Sequence, residues 1–176
     1  LELTAALCEP DKDGVVQGAI PLLVNGPDRL PSPKLAAPTF ETLENTGMLC
    51  SCRPADSGFV RLQLVGAKAD AGHGHEDKGS IVLEAFGEEL LVDRGTCFYG
   101  DARSELLKHA WRHNMLTPDN TDGRPMHQLN PLPDAVIPQG SGDETEMQAH
   151  IDLTAAWPEL LAHASRKIVS KTPTAF

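Results

Sequence analysis

Fifteen glycines and fourteen prolines are scattered through the 176-residue chain. They interrupt it so often that uninterrupted helical periodicity over three turns is scarce. The apolar residues therefore fall into short runs bounded by turn formers, the pattern of antiparallel strands and loops. Phe59-Val60-Arg61-Leu62-Gln63-Leu64-Val65 alternates as a half-buried strand should. Ile81–Phe86 and Glu89–Val92 read as two strands across a tight turn at Gly87-Glu88. Further strands are expected at Met147–Thr154 and Lys167–Ser170, one short helix within 102–112, and a polar, Pro-containing loop from Thr117 to Pro138. Residues 1–56, with Pro21, Pro27, Pro31, Pro33 and Pro38 and the apolar run Ile20–Val24, read as loops with one or two edge strands. With no alternation of strands and long helices, the fold class is all-β, an antiparallel sandwich or barrel with one short helix. Its length fits a single domain over residues 1–176.

Charge narrows the partners. Fifteen Lys and Arg against 25 Asp and Glu leave a net charge of −10, the wrong sign for wrapping nucleic acid or coating an anionic membrane. No apolar run approaches the ~18–20 residues of a membrane span. The chain opens on Leu1 without a basic-then-apolar leader, so it reads as a processed product or a piece of something longer. Cys8, Cys50, Cys52 and Cys97 lack the C-x-x-C spacing of a zinc ribbon and read as ordinary thiols.

The chemistry concentrates in the histidines. His73 and His75 flank Gly74, and His109 and His113 follow, with Asp77 and Asp93 between. On a strand, the two-residue period puts His73 and His75 on one face, where a metal or a substrate can meet both. His75, His113 and a carboxylate make a three-donor set with an open fourth position, suited to zinc or a similar divalent ion. Asp93, just before Gly95, is the leading carboxylate; Asp77 is the alternative, or a partner holding an imidazole N–H. His109 and His113 are four apart, a second zinc-like spacing if they share a helix face. An H-x-H pair is common among the loop histidines of soluble proteins. What lifts this one above background is the series of H-G-H, Asp and His-Asn taken together.

These residues resemble the C-terminal β-sandwich of heparinase II/III-type polysaccharide lyases. The resemblance runs through His73-Gly74-His75-Glu76-Asp77-Lys78-Gly79-Ser80, Ala85-Phe86-Gly87-Glu88, Leu91-Val92-Asp93-Arg94-Gly95-Thr96, Tyr99 and His113-Asn114. A weaker echo is Ile151-Asp152-Leu153-Thr154-Ala155-Ala156-Trp157, similar to a strand of that family; residues 1–56 match nothing in it.

The resemblance implies a supersandwich-like fold and a structural zinc ion, one per chain, on His75, Asp93 and His113. It makes His73 the catalytic histidine beside the metal, Asn114 a structural residue, and Tyr99 a substrate contact. Such lyases cleave uronic-acid polymers by β-elimination, removing the C5 proton α to a carboxylate and expelling the O4 oxygen, which needs a base, an acid and neutralisation of the carboxylate. In the family the main catalytic tyrosine comes from an upstream α/α-toroid domain. This sequence has no such helical domain, so the resemblance makes it the C-terminal part of a longer lyase, nearly inactive alone, periplasmic or secreted, with an acidic polysaccharide such as a glycosaminoglycan or alginate as partner. Tyr99 is the only tyrosine. Lys78, Arg94, Arg103, Lys108 and Arg112 concentrate positive charge around the site in sequence and are candidates to meet uronate carboxylates or sulfates.

Two other readings compete. A cupin-type oxygenase or isomerase also uses H-x-H with a later carboxylate and His, but it wants Glu a few residues on, whereas Glu84 falls within a predicted strand and Asp93 comes too late. A non-catalytic carbohydrate-binding sandwich wants exposed aromatics for stacking, and aromatics total 5%.

Overall fold

A computed structural model describes residues 39–55, 58–98, 100–158 and 160–176. Among these residues eight strands form two antiparallel sheets, with one short α-helix. The first sheet is a meander of β1 (Phe40–Leu43), β2 (Met48–Ala55), β3 (Gly58–Val65), β4 (Ile81–Ala85) and β5 (Glu88–Leu91) in sequential order. The second holds β6 (Gln139–Gly142), β7 (Met147–Asp152) and β8 (Ser165–Ser170). The sequential meander differs from the crossed strand order of a jelly roll, which speaks against the cupin arrangement.

Alternation along the strands builds the core. Leu49 of β2, Leu62 and Leu64 of β3, and Met147, Ala149 and Ile151 of β7 all belong to one buried cluster, so the inner faces of the two sheets share an interior. Their intervening neighbours Arg61, Gln63, Gln148 and His150 are exposed, as a two-residue period requires. Leu132, Ala110 and Trp157 complete the same cluster from the connecting segments.

The β4–β5 turn consists of Phe86 and Gly87, one residue earlier than expected, because Ala85 pairs with Glu88. Both turn residues have positive φ (56° and 82°), the backbone twist that two-residue hairpins prefer. Strand β2 corrects the reading of residues 1–56: it is an interior strand, paired with β1 on one side and β3 on the other. The run Ile20–Val24 and Cys8 lie outside the described residues.

The expected helix over 102–112 is two pieces, α1 (Arg103–Leu107) and a 3-10 turn (Ala110–Arg112), with His109 extended between them at φ −76°, ψ 145°. The cause is tertiary. The carbonyl of Lys108 accepts from the Glu76 N–H at 2.8 Å, and the Ala110 N–H donates to the Glu76 carboxylate at 3.1 Å, so these backbone groups are committed outside the helix. His109 and His113 therefore do not share a helix face. The echo at 151–157 is likewise only part strand: β7 ends at Asp152, whose carboxylate accepts from the Thr154 N–H at 2.9 Å as the chain enters a 3-10 turn.

Candidate functional site

The histidine segment is a loop. Residues 66–80 connect β3 to β4, and His73 adopts left-handed backbone with φ 59°, so the strand on which the two histidines would share a face does not form. Instead of a shared strand face, the loop is held by the polar segment 117–138. The Lys78 N–H donates to Gln128 Oε1 at 3.0 Å and Gln128 Nε2 donates back to the Lys78 carbonyl at 2.8 Å. Asn130 Nδ2 donates to the Gly74 carbonyl at 2.7 Å, while its Oδ1 accepts from Lys78 Nζ at 2.9 Å. Lys78 Nζ also donates to the His75 carbonyl. At the loop's end Gly79 sits at φ +89° with Leu153 so close that a Cβ would lie 2.5 Å from a leucine methyl. Only glycine meets both demands.

Lys78 is thus corrected as a substrate-facing cation. It is buried, and its ammonium is committed to the loop that carries the histidines. Burial pushes its pKa down, against the pull of Asp77 and Glu76.

Three of the sequence candidates come together. His113 Nδ1 lies 2.7 Å from Asp93 Oδ2, and the His75 and His113 rings are 5.4 Å apart, tilted by 42°. The His113 side chain is completely enclosed, and its Nε2 has no hydrogen-bond partner. Asn114 has the structural part expected of it, its amide donating to the carbonyls of Ile81 (3.0 Å) and Val92 (3.1 Å) and so tying β4 to the end of β5. Arg166 reaches from β8 to the Asn114 carbonyl at 2.9 Å.

Electrostatics follow burial and partners. Burial pushes the Asp93 carboxyl up, but the Gly95 N–H at 2.7 Å and His113 outweigh it and hold it below its ordinary value. Burial dominates at Asp77, raising it despite the nearby Lys78, His113 and His75. His75 is lowered, first by burial and then by His113 and Lys108, against Asp77 and Asp93. His73, His75, Asp77, Lys78, Asp93 and Asn130 line a common cavity of about 480 Å³.

The loop's next residue serves a different cluster. Glu76 Oε1 lies 2.9 Å from His127 Nδ1 and 3.4 Å from His109 Nδ1. Glu76, His109 and His127 present three donor atoms all within 4.8 Å of one another, the only such group among the described residues. This group can hold a metal ion. The ion expected from sequence was placed on His75, Asp93 and His113, which do not gather three donor atoms as tightly. Sequence reasoning missed Glu76 and His127. The available signals were an acidic residue directly after H-x-H and a histidine isolated in a polar loop.

No protein-family model and no curated protein matches the chain. Arg103 is exposed, paired through two nitrogens with Asp101, and lines a separate cavity of about 400 Å³ with Arg94, Arg112 and Leu106. Lys108 pairs with Glu105 at 2.7 Å. Tyr99 lies outside the described residues. Cys50, Cys52 and Cys97 are free thiols.

Proposed function

We propose that this chain is the metal-binding β-sandwich portion of a polysaccharide lyase of the heparinase II/III type, acting on uronic-acid polymers by β-elimination. The observation that carries the reading is the convergence of His73, His75 and Asp93 on one cavity, with His113 bound to Asp93. This gathering of residues from the 66–80 loop and from just past β5, with His113 behind Asp93, is what supports the reading.

In this reading zinc binds His75, Asp93 and His113. The donor set suits it, two imidazoles and a carboxylate, with His113 Nδ1 and Asp93 Oδ2 2.7 Å apart as neighbouring donor atoms. The ion would organise the loop and fix the orientation of the ligating rings. His73, on the cavity wall, faces the sugar and moves a proton during elimination. Arg94, Arg103 and Arg112 offer guanidinium groups to uronate carboxylates from their own cavity, with Tyr99 as a further substrate contact. The remaining catalytic groups belong to an upstream α/α-toroid domain, and the whole protein is exported to the periplasm or medium.

The test is metal analysis together with oligosaccharide binding on the chain and two variants. His75→Ala is expected to lose one ion per chain and to melt at lower temperature. His73→Ala is expected to keep its ion content and to bind heparan sulfate or alginate oligosaccharides more weakly than the parent. Unchanged ion content in His75→Ala, or no binding of either uronan by the parent, overturns the reading.

A further inference from the structure

We propose that Glu76, His109 and His127 form a second divalent-metal site, open to solvent on one side, that takes a late first-row ion such as zinc and clamps the 117–138 segment to the histidine loop. This goes beyond the lyase reading and does not depend on it.

The spacing is that of a ligand set. Two donors each about 2.1 Å from a tetrahedral ion stand roughly 3.3 Å apart. The Glu76 oxygen and the two imidazole Nδ1 atoms are separated by 2.9 and 3.4 Å. The donors are also pre-aimed. Glu76 Oε2 accepts from the Ala110 N–H at 3.1 Å, which fixes the rotation of the carboxylate as outer partners of ligating groups do. His109 stacks on Trp111 with ring centroids 4.5 Å apart, and His127 stands edge-on to both rings at 4.8 and 5.0 Å. The indole thus orients both imidazoles.

Two nitrogens and one carboxylate oxygen select against calcium and magnesium, which prefer all-oxygen shells, and favour zinc, cobalt or nickel. Exposure is graded across the three side chains, 12% for Glu76, 24% for His109 and 56% for His127. Three protein donors with the fourth direction toward water is the arrangement of a site with an exchangeable position. The ligands come from three segments: the histidine loop, the stretch between α1 and the 3-10 turn, and the polar 117–138 segment. An ion there ties together the segments that also carry His73 and Asn130, which line the cavity of the proposed function.

The experiment is titration of the metal-stripped full chain with Co²⁺, followed by visible absorption, with Zn²⁺ competition and elemental analysis. The parent is expected to show a cobalt equivalent that His127→Ala and Glu76→Gln weaken at least tenfold and that His75→Ala leaves in place. Binding should also weaken from pH 7 to pH 5, because the imidazoles must be neutral to ligate. His127 is mostly exposed, so an unchanged metal-free melting temperature in His127→Ala shows that the variant folds. Equal cobalt affinity and stoichiometry in the parent, His127→Ala and Glu76→Gln overturn the proposal. Failure of the lyase reading appears elsewhere, as an ion count that His75→Ala does not change.

Discussion

His75 and Glu76 are consecutive in the chain yet belong to clusters built in opposite ways. His75 joins His113 and Asp93, where one imidazole is sealed in the interior and bonded to a carboxylate. Glu76 joins His109 and His127, where the outer imidazole stands largely in water. The first cluster is coupled to the packing of the sandwich, since Asn114, the neighbour of His113, ties β4 to the end of β5. The second is held by a carboxylate, one backbone N–H and a tryptophan at the surface. The difference teaches that similar donor chemistry can serve stability in one place and exchangeable binding a few ångströms of chain away.

The largest effect that would sharpen this contrast is on stability. His113→Ala removes a fully enclosed ring and the imidazole bonded to Asp93, so a loss of about 2–4 kcal/mol is expected in urea denaturation. His127→Ala, without metal, should stay within about 0.5 kcal/mol of the parent. Equal losses in the two variants would break the comparison.

Next comes the staple between them. Lys78→Met leaves the His75 carbonyl and Asn130 Oδ1 without their donor, and a loss of about 1–3 kcal/mol is expected by the same measurement.

Acid should reveal both clusters together. Asp93 and Glu76 are each held below their ordinary values, although burial opposes this at both. At Glu76 the contacts that outweigh burial are His127, the Ala110 N–H and His109. A carboxylate lowered on folding contributes stability above its unfolded pKa and loses it as pH falls through the folded one. Asp93→Asn and Glu76→Gln should therefore flatten the acid limb of a stability–pH curve. Asp77 has the opposite sign, because burial raises it. Asp77→Asn should raise the denaturation midpoint at neutral pH, with the gain vanishing once both the folded and unfolded carboxyls are protonated. The smallest effect is expected at Arg103→Ala, an exposed pair with Asp101, where the midpoint should not move.

The strands that alternate cleanly were legible in sequence: β3, the β4–β5 hairpin, β7 and β8 all lie within a few residues of where their patterns place them. Strand β2 was obscured because its inner positions are Leu49, Ser51 and Arg53, a polar-looking series that is nonetheless buried. Strand β6 is Gln-Gly-Ser-Gly with all four residues exposed, so it carries no side-chain pattern and exists through pairing with β7. The approach of Asp93 and His113 could be anticipated because each lies just past the end of a readable element, whereas His75, in the middle of the 66–80 loop, was picked out by its H-x-H chemistry. His127 could not, since its position depends on Gln128 and Asn130 gripping the backbone of a loop some fifty residues earlier.

The histidine loop leaves the sheet at Val65 and returns at Ile81, and its base is closed by bonds from the Val65 N–H to the Ser80 carbonyl (2.9 Å) and from the Gly79 N–H to the Val65 carbonyl (2.7 Å). Strands β3 and β4 meet in register from Leu64 and Ile81 onward, below that closure. The excursion is anchored at its two ends, by Ala67 in the core cluster and Gly79 against Leu153. Only its exposed middle around Gly72 and His73 is a detachable span as far as the meander is concerned. Loop-closure entropy changes slowly with length, so the span can lengthen, shorten or exchange its ligands at modest cost to the sheet. Selection on a scaffold of this kind can rewrite binding chemistry inside one hairpin while the strand pairing beneath it is inherited unchanged.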